Sequence, residues 1–288
     1  MPDPKNLPYL LRLLDDDSQL VKQAVLQELA AFGASLEEEL SQLPKPPDAN
    51  QRQLLQNLLK GYTRSWLEKA WPHWFRFKDD KKKLEMAHTL LADFQNGSNH
   101  PVKLKTLLDQ LAKEFAAQNP KDVRQLAEFL FHAKGLKGVP ESDYFNPLNS
   151  NLVYVIEKKR GIPISLVCIY MLVGYRAGLD IEGCNFPGHF LAKTVVGGKT
   201  VLVDCFNGGE FVDEKRLVEM NPEIAETIQE IIHTETSAEA LMNRVLRNLI
   251  RAYQETDNLA NSHLMLELLK MLERETTPLI YGSDSYLH

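Results

Sequence analysis

The sequence predicts an α+β protein that is mainly helical and carries one small antiparallel sheet. Two observations predict it. Apolar residues recur at helical spacing through most of the chain up to Ala177, and again after about Glu214. Between Ile181 and Phe206 the period changes to alternation, broken at Gly197-Gly198, a strong hairpin-turn dipeptide. With 288 residues there is room for two or three compact units.

Composition narrows the class. A hydrophobic content of 44% and a charged content of 25% are ordinary for a soluble globular protein. The net charge of −6 argues against a nucleic-acid or anionic-membrane binder, which needs a basic stripe. No apolar run approaches a membrane span, and the start of the chain has no apolar signal region. The three cysteines, Cys168, Cys184 and Cys205, are odd in number and lack metal-like spacing, which predicts a reducing cytoplasm. Neither a metal nor a cofactor is expected, because the eight histidines form no ligand motif.

Leu7 to Gly33 reads as two helices joined by the polar turn Asp15 to Ser18, a pattern similar to a single HEAT-type repeat. One such repeat cannot bury its own face and must pack on other helices. Leu43-Pro-Lys-Pro-Pro-Asp is a breaker and a unit boundary. A helix over Gln51–Trp66 leads to Trp66, Trp71, Trp74, Phe75 and Phe77, read as packing between units. Asp79 to Lys83 reads as an exposed loop or helix start. Three amphipathic helices follow, Leu84–Phe94, Val102–Ala117 and Asp122–His132, broken at Asn96-Gly97-Ser98 and Asn119-Pro120. Gly135 to Pro140 has no pattern. Leu152–Lys159 is a short helix with Ser150 as its N-cap.

The chain is organised around Gly161-Ile162-Pro163-Ile164-Ser165, which opens a helix predicted to run to about Ala177. Pro163 suits the first helical position, where no N–H is needed. The residues after it are apolar nearly all round, which predicts burial. Gly178 suits C′. The positive N-terminal end of such a helix favours an anion. Strands are expected at Ile181–Phe186, His189–Val196 and Thr200–Phe206. Pairing Val196 with Lys199 across the turn makes His189 and Asp204 diagonal neighbours on one face, with Cys205 and Phe190 on the other. An aspartate beside a histidine fixes its tautomer and raises its basicity, as a general base requires. It is equally a plain structural hydrogen bond. Leu241 to Leu272 forms a helical hairpin similar to a tetratricopeptide unit, and the stretch from Thr276 has no period.

Four ordered stretches carry a wider resemblance: Asn149-Ser150-Asn151-Leu152, Arg160-Gly161-Ile162-Pro163-Ile164-Ser165-Leu166, Pro187-Gly188-His189-Phe190-Leu191, and Asp204 to Gly209. From about Leu84 to Val212 the chain resembles the bacterial SirB-type transglutaminase-like family. The resemblance implies a transglutaminase/papain-like core at 84–213, between a HEAT-like segment at 1–80 and a tetratricopeptide-like segment at 214–288. In active transglutaminases the helix begins Gly-x-Cys, and that thiolate attacks a glutamine carboxamide. The resemblance carries His189 over to the catalytic histidine and Asp204 to the aspartate, whereas Pro163 stands at the cysteine position. Ser165, in the same first turn, and Cys168, one turn on, are the candidate substitutes. Ser165 equally serves as a hydroxyl bound to backbone, and Cys168, between Val167 and Ile169, as a buried inert thiol. Cys184 has a weaker claim.

The expected function is therefore a non-catalytic scaffold or regulatory protein that meets protein partners through its helices. The alternative is a hydrolase or acyltransferase using Ser165 or Cys168 with His189 and Asp204. A peptide groove lined by the C-terminal helices is weaker still, because two helices are too few to form one. The sequence leaves the oligomeric state open.

Overall fold

A computed structural model of the chain describes residues 2–14, 16–96, 102–119, 122–186, 189–213, 215, 218–219, 223 and 225–276. Asp15, Gly97-Ser98, Pro120, Pro187-Gly188, Glu214 and the stretch after Thr276 fall outside them. Helices α1 (Leu7–Leu13), α2 (Gln19–Ala30), α3 (Leu36–Ser41) and α4 (Ala49–Ala70) come first. A capping box starts α4: Asp48 accepts from the Gln51 amide, and the Gln51 side chain accepts from the Asp48 amide. Leu7, Val25, Leu29, Leu40 and Leu55 form a small core of their own. Leu67, three turns along α4 from Leu55, lies in a different and larger core. Helix α4 thus joins the two.

A 3-10 turn at Trp71–Arg76 buries Trp71 and Trp74 edge to face, 5.7 Å between ring centres. These indoles belong to the larger core, so the aromatic cluster packs helices together. Helices α5 (Asp80–Asn96), α6 (Leu104–Ala116) and α7 (Val123–Ala127) follow. Lys81 is no mere loop cation: its Nζ donates to the Ile181 carbonyl at 2.7 Å, and Lys83 pairs with Glu239. The helix expected to run to His132 instead widens after α7 into a π-turn over Glu128–Ala133. The wider turn brings three consecutive apolar residues, Phe129, Leu130 and Phe131, inward together.

Strand β1 (Lys137–Gly138) pairs in parallel with β2 (Arg160–Gly161), on either side of helix α8 (Leu152–Lys158). Next comes α9 (Pro163–Arg176), buried from Pro163 through Gly174, as its apolar circumference predicts. Gly178, at φ 72°, closes it: its amide donates to Tyr175 O, and the Leu179 amide donates to Gly174 O. Strands β3 (Ile181–Cys184), β4 (Leu191–Val196), β5 (Lys199–Asp204) and β6 (Glu210–Asp213) form an antiparallel sheet in that order. Val196 pairs with Lys199, so the hairpin register is the expected one. One sheet face, with Phe190, Ala192, Val203 and Cys205, joins the larger core. The other, with Cys184, Leu191 and Leu202, is covered by Ile228 and Ile232 of α10 (Ala225–His233). The last helices, α11 (Ala238–Glu255) and α12 (Leu259–Thr276), bury Leu241, Leu249, Leu264 and Leu268 in the same core as α9. Among the described residues, no helix is long and apolar enough to cross a membrane.

Candidate functional site

Close packing sets the start of α9. A Cβ added at Gly161 would lie 2.7 Å from Val155 Cγ1 of α8, so only glycine lets the chain pass there. Ile162 is extended, and Pro163 takes the first helical position. The Ser165 hydroxyl, fully buried, donates to the Asn149 carbonyl at 2.7 Å. Asn149 in turn donates through its side-chain Nδ2 to the Asp143 carbonyl at 2.5 Å. Asn151, not the expected Ser150, caps α8, accepting from the Val153 and Tyr154 amides at 3.1 and 3.3 Å. Ser150 is unavailable because it is the last, buried residue of a 3-10 turn begun by Asn146 and Pro147. The Asn151 side-chain amide also donates to Asn96 Oδ1 at 2.9 Å, tying α8 to α5. The Asn149-Ser150-Asn151 motif therefore positions the α9 entrance.

The structure brings His189 and Asp204 together. His189 Nε2 lies 2.8 Å from Asp204 Oδ1, with 29% and 15% of the two side chains exposed. Burial pushes the Asp204 carboxyl up, but hydrogen bonds from His189 and Asn207 more than offset it, holding the group below its ordinary value. The carboxylate is thus the acceptor, Nε2 carries the hydrogen, and Nδ1 is the nitrogen left to act as a base. Asp204 has other partners: its Oδ1 accepts from the Phe206 and Asn207 amides at 3.1 Å, and its Oδ2 accepts from the Asn207 side chain at 2.8 Å. Sequence reasoning missed this role. The signal was present only in part: in Asp204-Cys-Phe-Asn-Gly-Gly an aspartate stands at the entry to a glycine turn, where its side chain can accept from amides two and three residues on.

Phe206, which the hairpin register sets opposite His189, does meet it, and also reaches a strand the register could not show. Its ring lies edge-on to the His189 imidazole, 6.1 Å between centres, and a Cβ at Gly138 would meet it at 2.6 Å. Gly138 is the β1 partner of Gly161. One aromatic ring therefore touches both the strand beside the α9 entrance and the histidine.

The nucleophile candidates are elsewhere in chemical terms. Ser165 gives its proton to Asn149, not to His189. Burial pushes the Cys168 thiol up to about 12 against a smaller pull from Lys81, and the Cys184 thiol up to about 11. Cys205 is pushed well above its ordinary value by burial, then by the charge of Asp204. All three thiols are buried and protonated at neutral pH. Among the described residues, no three His, Cys, Asp or Glu side chains gather as metal ligands. What remains is an oriented imidazole able to move a proton at Nδ1, with no described nucleophile hydrogen-bonded to it.

A family model for the transglutaminase-like superfamily matches residues 102–247, from α6 into α11. The chain belongs to the transglutaminase-like superfamily. Similar proteins include a UPF0162 protein of Xylella fastidiosa strain Temecula1, 33% identical over 145 residues, which are 48% of this chain and 51% of that one. A UPF0162 protein of Haemophilus influenzae is 27% identical over 115 residues, 39% of this chain and 43% of that one. F-box only protein 21 of Mus musculus is 37% identical over 65 residues, 23% of this chain and 10% of that one. The chain spans about half the length of the first of these relatives. No solved structure matches it. The transglutaminase-like match contains Pro163, Ser165, Cys168, His189 and Asp204, whereas the core formed by Leu7, Val25 and Leu29 lies before it.

Proposed function

We propose that this transglutaminase-like protein is a non-catalytic member of the SirB type, acting in the cytoplasm as a scaffold or regulatory protein. On this reading its core at 84–213 is kept for stability, packed with the helices that follow it, and the outer faces of the HEAT-like 1–80 and tetratricopeptide-like 214–288 segments present the surfaces that partners meet. One observation carries it: Pro163 occupies the first turn of α9, where the resemblance puts the thiol. Proline has neither a nucleophilic atom nor an amide N–H for an oxyanion. Two further features support the reading. The Ser165 hydroxyl is tied to a carbonyl, and the Asp204 carboxylate is engaged by its own loop as well as by His189.

The test is a comparison of the wild-type protein with His189→Ala. Both are incubated with a glutamine peptide and a fluorescent amine, with an activated ester, and with fluorophosphonate and iodoacetamide probes. The expected result is no turnover, and no labelling beyond that of the variant. Turnover or labelling that disappears in His189→Ala overturns the proposal.

A further inference from the structure

We propose that the N-terminal segment carries a docking groove for an acidic peptide with bulky apolar anchors, supplied by a partner protein. Between the C-terminal half of α1, the 43–47 loop and the first turns of α4 lies a cavity of about 540 Å³, within the roughly 300–1,000 Å³ range of ligand sites. Leu11, Leu14, Leu43 and Leu55 line it, and all four belong to the small N-terminal core or pack against it. They are held in place whether or not anything binds. Leu54 also lines the groove and is 55% exposed, and Leu58, one turn further along α4, is 37% exposed. The apolar wall therefore continues out of the cavity as a stripe that water covers at a cost.

Charge selects the occupant. Arg12 and Lys45 line the same groove and are exposed, and none of the described residues lining it is acidic. In a chain of net charge −6, an apolar groove whose charged residues, among the described ones lining it, are Arg12 and Lys45 favours an anionic partner and disfavours another copy of this acidic chain. Apolar anchors in the groove with carboxylates at its border describe an acidic amphipathic peptide. The groove lies outside the transglutaminase-like match, so it is a property of this chain's N-terminal segment. The inference deepens the scaffold proposal and rests on it for its meaning. Its test measures binding alone, so it can fail while the labelling experiment succeeds, and the reverse.

The probe is an immobilised panel of acidic leucine-containing peptides, each matched by a counterpart with lysine in place of every acidic residue, exposed to the full-length protein. Acidic members should be retained over their counterparts, and more weakly as salt rises. Leu54→Glu and the double variant Arg12→Glu/Lys45→Glu should each weaken retention about tenfold or more. Leu20→Glu, on α2 and 80% exposed outside the groove, should leave it unchanged. Circular dichroism of each variant checks that the fold is kept. The proposal is overturned if no acidic peptide binds at millimolar concentration, if basic counterparts bind equally, or if the groove variants bind as wild type. Sedimentation showing a self-association abolished by Leu54→Glu would also overturn it, by making the occupant a second copy.

Discussion

The Asp204 carboxylate accepts from His189, from the Phe206 and Asn207 amides and from the Asn207 side chain. Its charge is thereby matched to a loop before any substrate is involved. Asp204→Asn keeps the shape but loses the charge-assisted bonds, and should lower unfolding stability by about 1–3 kcal/mol in urea denaturation. An unchanged midpoint would mean the loop does not depend on it. His88 presents the opposite case: it is buried in α5, and neither ring nitrogen has a hydrogen-bond partner in the structure. Burial pushes its pKa down to about 3, from an ordinary value of 6.5. The folded state therefore needs the neutral ring, and the unfolded chain binds the proton first. That stabilisation is whole above pH ~6.5 and is lost as pH falls toward ~3, at about 1.4 kcal/mol per pH unit. Between pH 7 and pH 5 unfolding stability should fall by about 2 kcal/mol from this residue. His88→Leu should flatten that part of the slope, and an identical slope in the variant would refute the assignment.

At the scale of elements, the entrance to α9 depends on how closely α8 approaches it. Gly161→Ala forces a methyl to within 2.7 Å of Val155 Cγ1 and 3.3 Å of Leu166 Cγ, and should cost about 1–3 kcal/mol by overpacking. If the contact is the cause, adding Val155→Ala to Gly161→Ala should be less destabilising than the two single costs summed. Additive losses would place the strain elsewhere. The sequence made α9 legible because proline, an unbroken apolar run and a closing glycine each point to one helix. The β4–β5 register was equally legible, because Gly197-Gly198 leaves one in-register pairing and the apolar alternation agrees with it. Strands β1 and β2 were not legible: two residues have no period, and Lys137-Gly138 is defined only by its distant partner Arg160-Gly161. The cap of α8 was misplaced by one residue, since serine and asparagine are both good caps. What decides between them is the 3-10 turn before it. The His189–Asp204 pair and the place of Phe206 opposite His189 could be read from register, while the contact of Phe206 with Gly138 could not, since β1 has no period of its own.

For the whole molecule, what matters is which segments share a core. Leu7, Val25, Leu29 and Leu40 pack among themselves and reach the rest chiefly through α4, which Leu55 anchors at one end and Leu67 at the other. By contrast, Leu241, Leu246, Leu249, Leu264 and Leu268 of α11 and α12 lie in one cluster with α9 and the inner sheet face. Sequence periodicity identified both ends as helical hairpins, but it could not distinguish them, because it reports that a helix has an apolar face and not what the face meets. The two ends should therefore respond differently to truncation. At about 1.5–3 kcal/mol per buried side chain, those five leucines alone match the whole ~5–15 kcal/mol stability of a typical domain. A chain ending at residue 213 should have no cooperative unfolding transition in urea. A chain beginning at residue 48 keeps Asp48 to cap α4 and every residue of the larger core, and should unfold cooperatively within a few degrees of the full-length main transition. A cooperative transition in the first truncation, or its loss in the second, would reverse this assignment of the cores.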